Sequence, residues 1–138
     1  MRVLVVDNDA AVLDVVCAIL NDCGVEAQGA ADPQTACRLL AAGAADAVLS
    51  DFLFPGSMTG LDVAAEATAR GVFCVIMSGA AEVEAAVTAQ GVRFLAKPFS
   101  MANLMTALGI SEVVSLAMRR ATYVVARTRA TARRFASR

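Results

Sequence analysis

The chain has 138 residues, and 58% of them are apolar by type, but 30 are alanine, so the composition favours helix more than greasiness. One domain of this length buries enough surface to stand without disulfides or metal, and the absence of histidine excludes His-based catalysis, His-ligated zinc and an internal His phosphodonor. The formal net charge of −1 conceals a polar split: residues 1–112 carry all 13 acids and five basic residues, whereas residues 113–138 carry seven arginines and no acid.

In chain order, Val3-Leu4-Val5-Val6 is a continuous β-rich run, the pattern of a strand buried on both faces. Over residues 10–22, Val12, Val15, Val16, Ile19 and Leu20 recur at helical spacing, and Gly24 stops that helix. Val25–Gln28 predicts a weaker strand. Asp32-Pro33 opens a second helix, with Asp as its cap and Pro in its first turn, that ends by Gly43. Ala47-Val48-Leu49 predicts a third strand, delivering Ser50 and Asp51. A loop over residues 54–60 leads to a helix over 61–70, and residues 72–77 form the clearest strand. Residues 81–90 read as helix, 92–95 as a fifth strand, and a last helix begins after Pro98-Phe99.

This alternation predicts βαβ units, hence a parallel sheet wound on both faces, with its functional crevice at the carboxyl ends of the strands. The residues following the strands there are Asp7-Asn8-Asp9, Ser50-Asp51, Met77-Ser78-Gly79 and Ala96-Lys97-Pro98-Phe99. Crowded carboxylates repel unless a cation sits among them, and a hard divalent ion such as Mg²⁺ resolves that repulsion. Lys97 is the chain's single lysine, and with such an ion it would neutralise the oxygens of a phosphoryl group in transfer. A carboxylate in that setting attacks phosphorus to give an acyl phosphate. Each piece has a plainer reading too: Asp7, Asn8 and Asp9 as helix caps, Asp51 as a turn residue, Ser78 as a cap, Lys97-Pro98 as a turn. Their joint placement after four successive strands favours the functional one.

Together, Val3 through Asp9, Leu49-Ser50-Asp51-Phe52-Leu53-Phe54-Pro55-Gly56, Met77-Ser78-Gly79 and Lys97-Pro98-Phe99 resemble the receiver domain of two-component response regulators. The resemblance covers residues 1–110 and implies a flavodoxin-like doubly wound five-stranded parallel sheet of order 2-1-3-4-5. It implies that Asp51 accepts a phosphoryl group from a phosphohistidine on a histidine kinase or a histidine phosphotransfer protein. Asp7, Asp51 and the backbone carbonyl of Leu53 would hold Mg²⁺. Lys97 would pair with Asp51 and then with the phosphoryl oxygens, and Ser78 would turn its hydroxyl towards them. Phe94 would be the aromatic switch that follows Ser78, unless it is simply a half-buried strand aromatic. The family's second acid is replaced here by Asn8, which offers an oxygen to the metal but no charge, so metal affinity is expected to fall unless Asp9 compensates. Leu53 and Ala80 present no polar group to position an attacking water.

Residues 111–138 predict a basic, amphipathic helical extension, with Ser111 as cap and Arg120, Arg127 and Arg134 in one stripe. A solvated extension, a docking helix that pairs a second copy through the last helices, and contact with an anionic surface are its open readings. Only Tyr123 and Phe135 lie in it, which argues against nucleic acid, and the segment is too short for an output domain. The longest stretch without a charged residue is 98–111, too short and too polar for a membrane span, and no signal peptide is read at the start. Cys17, Cys23, Cys37 and Cys74 show no paired spacing and read as small buried hydrophobes in a reducing, cytoplasmic setting. Two other functions remain. Asp7-Asn8-Asp9 is similar to the nucleophile motif of haloacid-dehalogenase-type phosphatases, with Asp7 attacking. The substitution at Asn8 also leaves room for a receiver-like module that binds without phosphorylation.

Overall fold

The computed structural model describes residues 1–110. Five strands, β1 (Arg2–Val6), β2 (Glu26–Ala30), β3 (Ala47–Asp51), β4 (Phe73–Ser78) and β5 (Arg93–Ala96), form one parallel sheet of order β2-β1-β3-β4-β5. Between and after them run α1 (Ala10–Asp22), α2 (Pro33–Ala41), α3 (Gly60–Ala69), α4 (Glu84–Ala89) and α5 (Met101–Ala107). This is the flavodoxin-like order expected above. The amphipathic extension, its cap at Ser111 and any pairing of copies through it lie outside the described residues.

The winding follows from which side of each strand is apolar. β1, β3 and β4 are apolar on both sides, so each needs a helical layer above and below. Val3, Val5, Leu49, Val75, Met77 and Leu95 face α1 and α5, where Val12, Val16, Leu20, Leu104 and Met105 cover them. Leu4, Val6, Val48 and Ile76 face α2, α3 and α4, where Leu40, Val63, Ala67 and Val87 lie. Both layers exclude water from the sheet, the dominant stabilising term in such a fold.

Local chemistry sets the helix starts. Asp9 caps α1, its Oδ1 accepting from the backbone amides of Ala11 (3.1 Å) and Val12 (3.3 Å). Asp32 caps α2 through the Thr35 amide at 2.7 Å, with Pro33 in the first turn as expected. Thr59 and Asp62 form a reciprocal capping box at the start of α3. Ser100 and Asn103 do the same for α5.

β4, β5 and α3 are each shifted by one residue from the sequence expectation, and two elements differ more. β2 starts one residue later than read and runs to Ala30, because pairing with β1 from Arg2↔Glu26 to Val6↔Ala30 draws in Gly29 and Ala30, residues without β preference. Val25 lies buried just before it. The single helix read over 81–90 is a 3₁₀ turn, Ala81–Val83, followed by α4. Neither piece has a side-chain cap, and Val87 is their one buried residue, so little holds a longer helix together.

All four cysteines are free. Burial raises the Cys74 thiol to about 12, while Cys17, Cys23 and Cys37 are raised less and remain partly accessible. Thiolate is the reactive form. At pH 8, a disulfide-exchange reagent is therefore expected to titrate three thiols in the native protein and the fourth, Cys74, only on unfolding. Rapid modification of Cys74 in the native state, mapped by mass spectrometry, would contradict this burial.

Candidate functional site

Strand register assembles the site before any side chain is considered. Val6 pairs with Ser50, so Asp7 and Asp51 leave neighbouring strands side by side. Asp51 pairs with Met77, and Ser78 pairs with Ala96, so Ser78 and Lys97 leave the next two strands at the same level. The Lys97 amide donates to the Ser78 carbonyl at 2.9 Å, which carries the ladder one residue past β5 and aims Lys97 along the rim.

The lysine joins the two carboxylates. Lys97 Nζ stands 3.4 Å from Asp51 Oδ1 and 3.8 Å from Asp7 Oδ2. Asp7 has no exposed surface, whereas the Asp51 and Lys97 side chains keep 13% and 14% of theirs. Asp7 is held by its amide to the Ala30 carbonyl at 3.1 Å, and its Oδ1 accepts from the Asp9 amide at 2.9 Å. Asp51 Oδ1 also accepts from the Phe52 amide at 3.1 Å, and the Ser50 hydroxyl donates to the Asp51 carbonyl at 2.9 Å. Two carboxylates thus share one ammonium in a largely dry place, where charges interact strongly.

The remaining expected residues are placed as follows. Ser78 is buried at the end of β4, and its Oγ accepts from the Ala80 amide at 3.1 Å, a local turn rather than a helix cap. Asn8 is exposed on the loop after β1, and Leu53, 64% exposed, lies two residues past Asp51. Phe94 is partly buried on the α2–α4 side of the sheet, away from the α5 side that its neighbour Leu95 faces. Asp9 is engaged by the cap of α1 through its Oδ1.

Among the described residues, no three Asp, Glu, His or Cys side chains cluster as a metal-binding set. A cation at this rim would have two carboxylates, neutral oxygens and water. That donor set fits Mg²⁺, which takes hard oxygens, accepts one or two carboxylates and retains several waters. Asp7 and Asp51 are the charged ligands available to it, with the Asn8 amide oxygen and the Leu53 carbonyl as neutral ones.

Gly60 was read from the sequence only as the end of the loop over residues 54–60, yet it touches the site. A Cβ built there would lie inside van der Waals contact of the Asp51 carbonyl oxygen, 3.0 Å from Ile76 Cδ1 and 3.1 Å from Phe52 Cα. The faint sequence signal was a glycine in the first turn of a helix, just after a Thr cap, where alanine is the better helix former.

The sequence matches the family model of the response regulator receiver domain over residues 3–109. A comparison with curated protein sequences returns no match. Among solved structures, it is similar to a response regulator receiver protein from Sinorhizobium medicae, at 28% identity and a TM-score of 0.71, over 83% of this chain and 94% of that one. It is also similar to the chemotaxis protein CheY4 of Vibrio cholerae, at 26% identity and a TM-score of 0.67, over 78% of this chain and 95% of that one. The fold is shared with the response regulator TrrA of Thermotoga maritima, solved with Mg²⁺ and BeF, at 22% identity and a TM-score of 0.70, over 78% of this chain and 96% of that one.

The carboxylate crowding has a measurable consequence. Asp7→Asn removes a fully buried carboxylate from beside Asp51, so in EDTA its unfolding free energy is expected to rise by about 1 kcal/mol. Mg²⁺ is expected to raise the denaturation midpoint of the wild type and leave Asp7→Asn unmoved. A variant less stable than the wild type in EDTA would mean the crowding is already relieved within the protein.

Proposed function

The chain belongs to the response regulator receiver domain family, and on that premise we propose that it is a phosphoacceptor of a two-component phosphorelay, taking a phosphoryl group onto Asp51 from a phosphohistidine and switching protein contacts in response. The observation that carries this reading is the Lys97 ammonium held between the Asp7 and Asp51 carboxylates at the strand-end rim. The donor is a histidine kinase or a histidine phosphotransfer protein.

A carboxylate oxygen of Asp51 attacks the phosphorus in line with the donor imidazole. The P–N bond breaks as the O–P bond forms, and its electron pair stays on the imidazole nitrogen. Lys97 starts paired with Asp51 and follows the growing charge onto the phosphoryl oxygens, 3.4 Å being close enough for that exchange without a large excursion. Ser78 turns its Oγ from the Ala80 amide towards a phosphoryl oxygen and donates its proton in a hydrogen bond. Phe94, on the neighbouring strand, repacks into the space so made, which shifts the population between two arrangements of the surface around β5. Mg²⁺, held by Asp7 and Asp51 with the Leu53 carbonyl and the Asn8 amide oxygen, supplies charge neutralisation when bound.

The burial of Asp7 favours this assignment over a phosphatase reading with Asp7 as nucleophile. Asp7 has no surface open to a donor, whereas Asp51 does. No described helix is long and apolar enough to cross a membrane. The protein's output is contact with partners rather than turnover of a substrate, and a second copy engaged through the last helices is one such partner. The exposed Leu53 and the apolar Ala80 give water no side-chain partner, which favours a long-lived acyl phosphate.

Incubation with acetyl phosphate and Mg²⁺, followed by reduction of the acyl phosphate and peptide mapping, is expected to label Asp51. Label on Asp7 would favour a hydrolase, and full partner binding by Asp51→Asn would favour a module that works without phosphorylation. Because Asp9 is engaged in the cap, Asn8→Asp is expected to restore the missing charge and tighten Mg²⁺ by about tenfold, as read by isothermal titration. Equal affinity in the two proteins would place Asn8 away from the ion.

A further inference from the structure

We propose that Gly60 is a positioning residue for the phosphoacceptor: lacking a Cβ, it lets the first turn of α3 abut the Asp51 carbonyl and thereby sets where the Asp51 carboxylate stands relative to Lys97. The inference rests on the phosphoacceptor reading of Asp51 and deepens it.

The demand at Gly60 is for space, not for an unusual backbone angle. Six other glycines adopt positive φ and Gly60 does not, so an L-residue fits its backbone. It does not fit its surroundings. A Cβ there would press into the Asp51 carbonyl oxygen, with Ile76 Cδ1 and Phe52 Cα closing the other sides at 3.0 and 3.1 Å. Two of these three neighbours are backbone, which cannot swing aside as the tip of a flexible side chain can. The Asp51 carbonyl is held on its own account by the Ser50 hydroxyl at 2.9 Å.

Hydrogen bonds link this contact to the carboxylate. The Gly60 amide donates to the Phe52 carbonyl at 2.8 Å. The Phe52 amide donates to Asp51 Oδ1 at 3.1 Å, the same oxygen that faces Lys97 Nζ at 3.4 Å. Phe52 is therefore held at both ends, by α3 through its carbonyl and by the acceptor carboxylate through its amide. The start of α3 is fixed in turn by the Thr59–Asp62 box, in which the Thr59 amide donates to Asp62 Oδ2 at 2.7 Å. A methyl group at position 60 would move Phe52 or the Asp51 backbone, and either movement turns the attacking oxygen away from its line to phosphorus, where small misplacements are costly.

The test uses the full chain with acetyl phosphate and Mg²⁺, below the unfolding transition of every variant as verified by circular dichroism. In Gly60→Ala the maximal rate of Asp51 acylation is expected to fall at least tenfold, with the half-saturating donor concentration within twofold of wild type. The ¹³C resonance of the Asp51 carboxyl is expected to move while that of Asp9 stays. Adding Ile76→Val relieves the side-chain neighbour and not the backbone ones, so it is expected not to restore the rate. A wild-type rate with an unmoved Asp51 resonance in Gly60→Ala overturns the proposal, and so does full rescue by Ile76→Val. Should Gly60→Ala not fold, Asp62→Ala unties the capping box at an exposed residue and is expected to slow acylation two- to fivefold; an unchanged rate overturns the proposal equally. A wild-type protein that carries no label on Asp51 removes the phosphoacceptor reading and this inference with it, whereas a labelled wild type matched by both variants removes this inference alone.

Discussion

One ammonium group between two carboxylates is the interaction around which the rest is arranged. Bringing Asp7 and Asp51 together costs free energy that burial of Asp7 makes worse, and Lys97 stands within reach of both to offset it. Such an arrangement is poor at stabilising a fold. It persists because the sheet over-determines it: Asp7 and Asp51 extend paired strands, and Lys97 is pinned by its own amide to Ser78. The hydrophobic layers above and below β1, β3 and β4 supply the stability that this rim consumes. The site is thus ready for a partner that brings positive charge or spreads the negative charge over more oxygens.

That rigidity is uneven across the sheet. Asp7 and Asp51 stand at the ends of the inner strands β1 and β3, and Lys97 reaches them from the end of the edge strand β5. Ser78 and Phe94 sit towards its β4–β5 side, where α4 covers the sheet with one buried side chain and no side-chain cap. Arg93, next to Phe94, reaches the other way: it donates to the Ala107 carbonyl at 2.8 Å and lies 4.9 Å from the centroid of the Phe73 ring. Adjacent residues of β5 therefore bind the strand to α5 on one side and leave it loosely covered on the other.

Much of this was legible in the sequence, for identifiable reasons. Strands buried on both faces need continuous apolar runs, so β1, β3 and β4 announce themselves, and parallel winding then forces the residues after them onto one rim. Asp7, Asp51, Ser78 and Lys97 could be placed together on that basis. β2 was less clear because Gly29 and Ala30 become strand only through their pairing with β1. The helix over 81–90 was overread because alanine favours helix locally, whereas almost none of that segment is packed. The residues alone left Asp7, Asn8 and Asp9 all as caps or ligands, because aspartate serves equally as either, and the two amides converging on Asp9 Oδ1 show which of them caps α1. Gly60 escaped notice because its requirement is set by the carbonyl of Asp51, nine residues earlier, and not by anything in its own segment.

The direction of the helices has an electrical consequence. Since every crossover returns to begin a new strand, every helix starts at the same rim, and each would turn the positive end of its dipole towards an arriving phosphoryl group. Here the first turns of α1, α2 and α3 are already occupied by Asp9, Asp32 and Asp62, and Glu82 and Glu84 stand where the 3₁₀ turn and α4 begin. At these four starts the backbone's natural attraction for anions is spent on the protein's own carboxylates, and of the five helices α5 alone, capped by Ser100 with no acid in its first turn, keeps it. What draws in the donor must therefore come from Lys97, from the start of α5 and from an ion recruited from solution, so the receptiveness of this surface is set by a few local charges rather than by the scaffold as a whole.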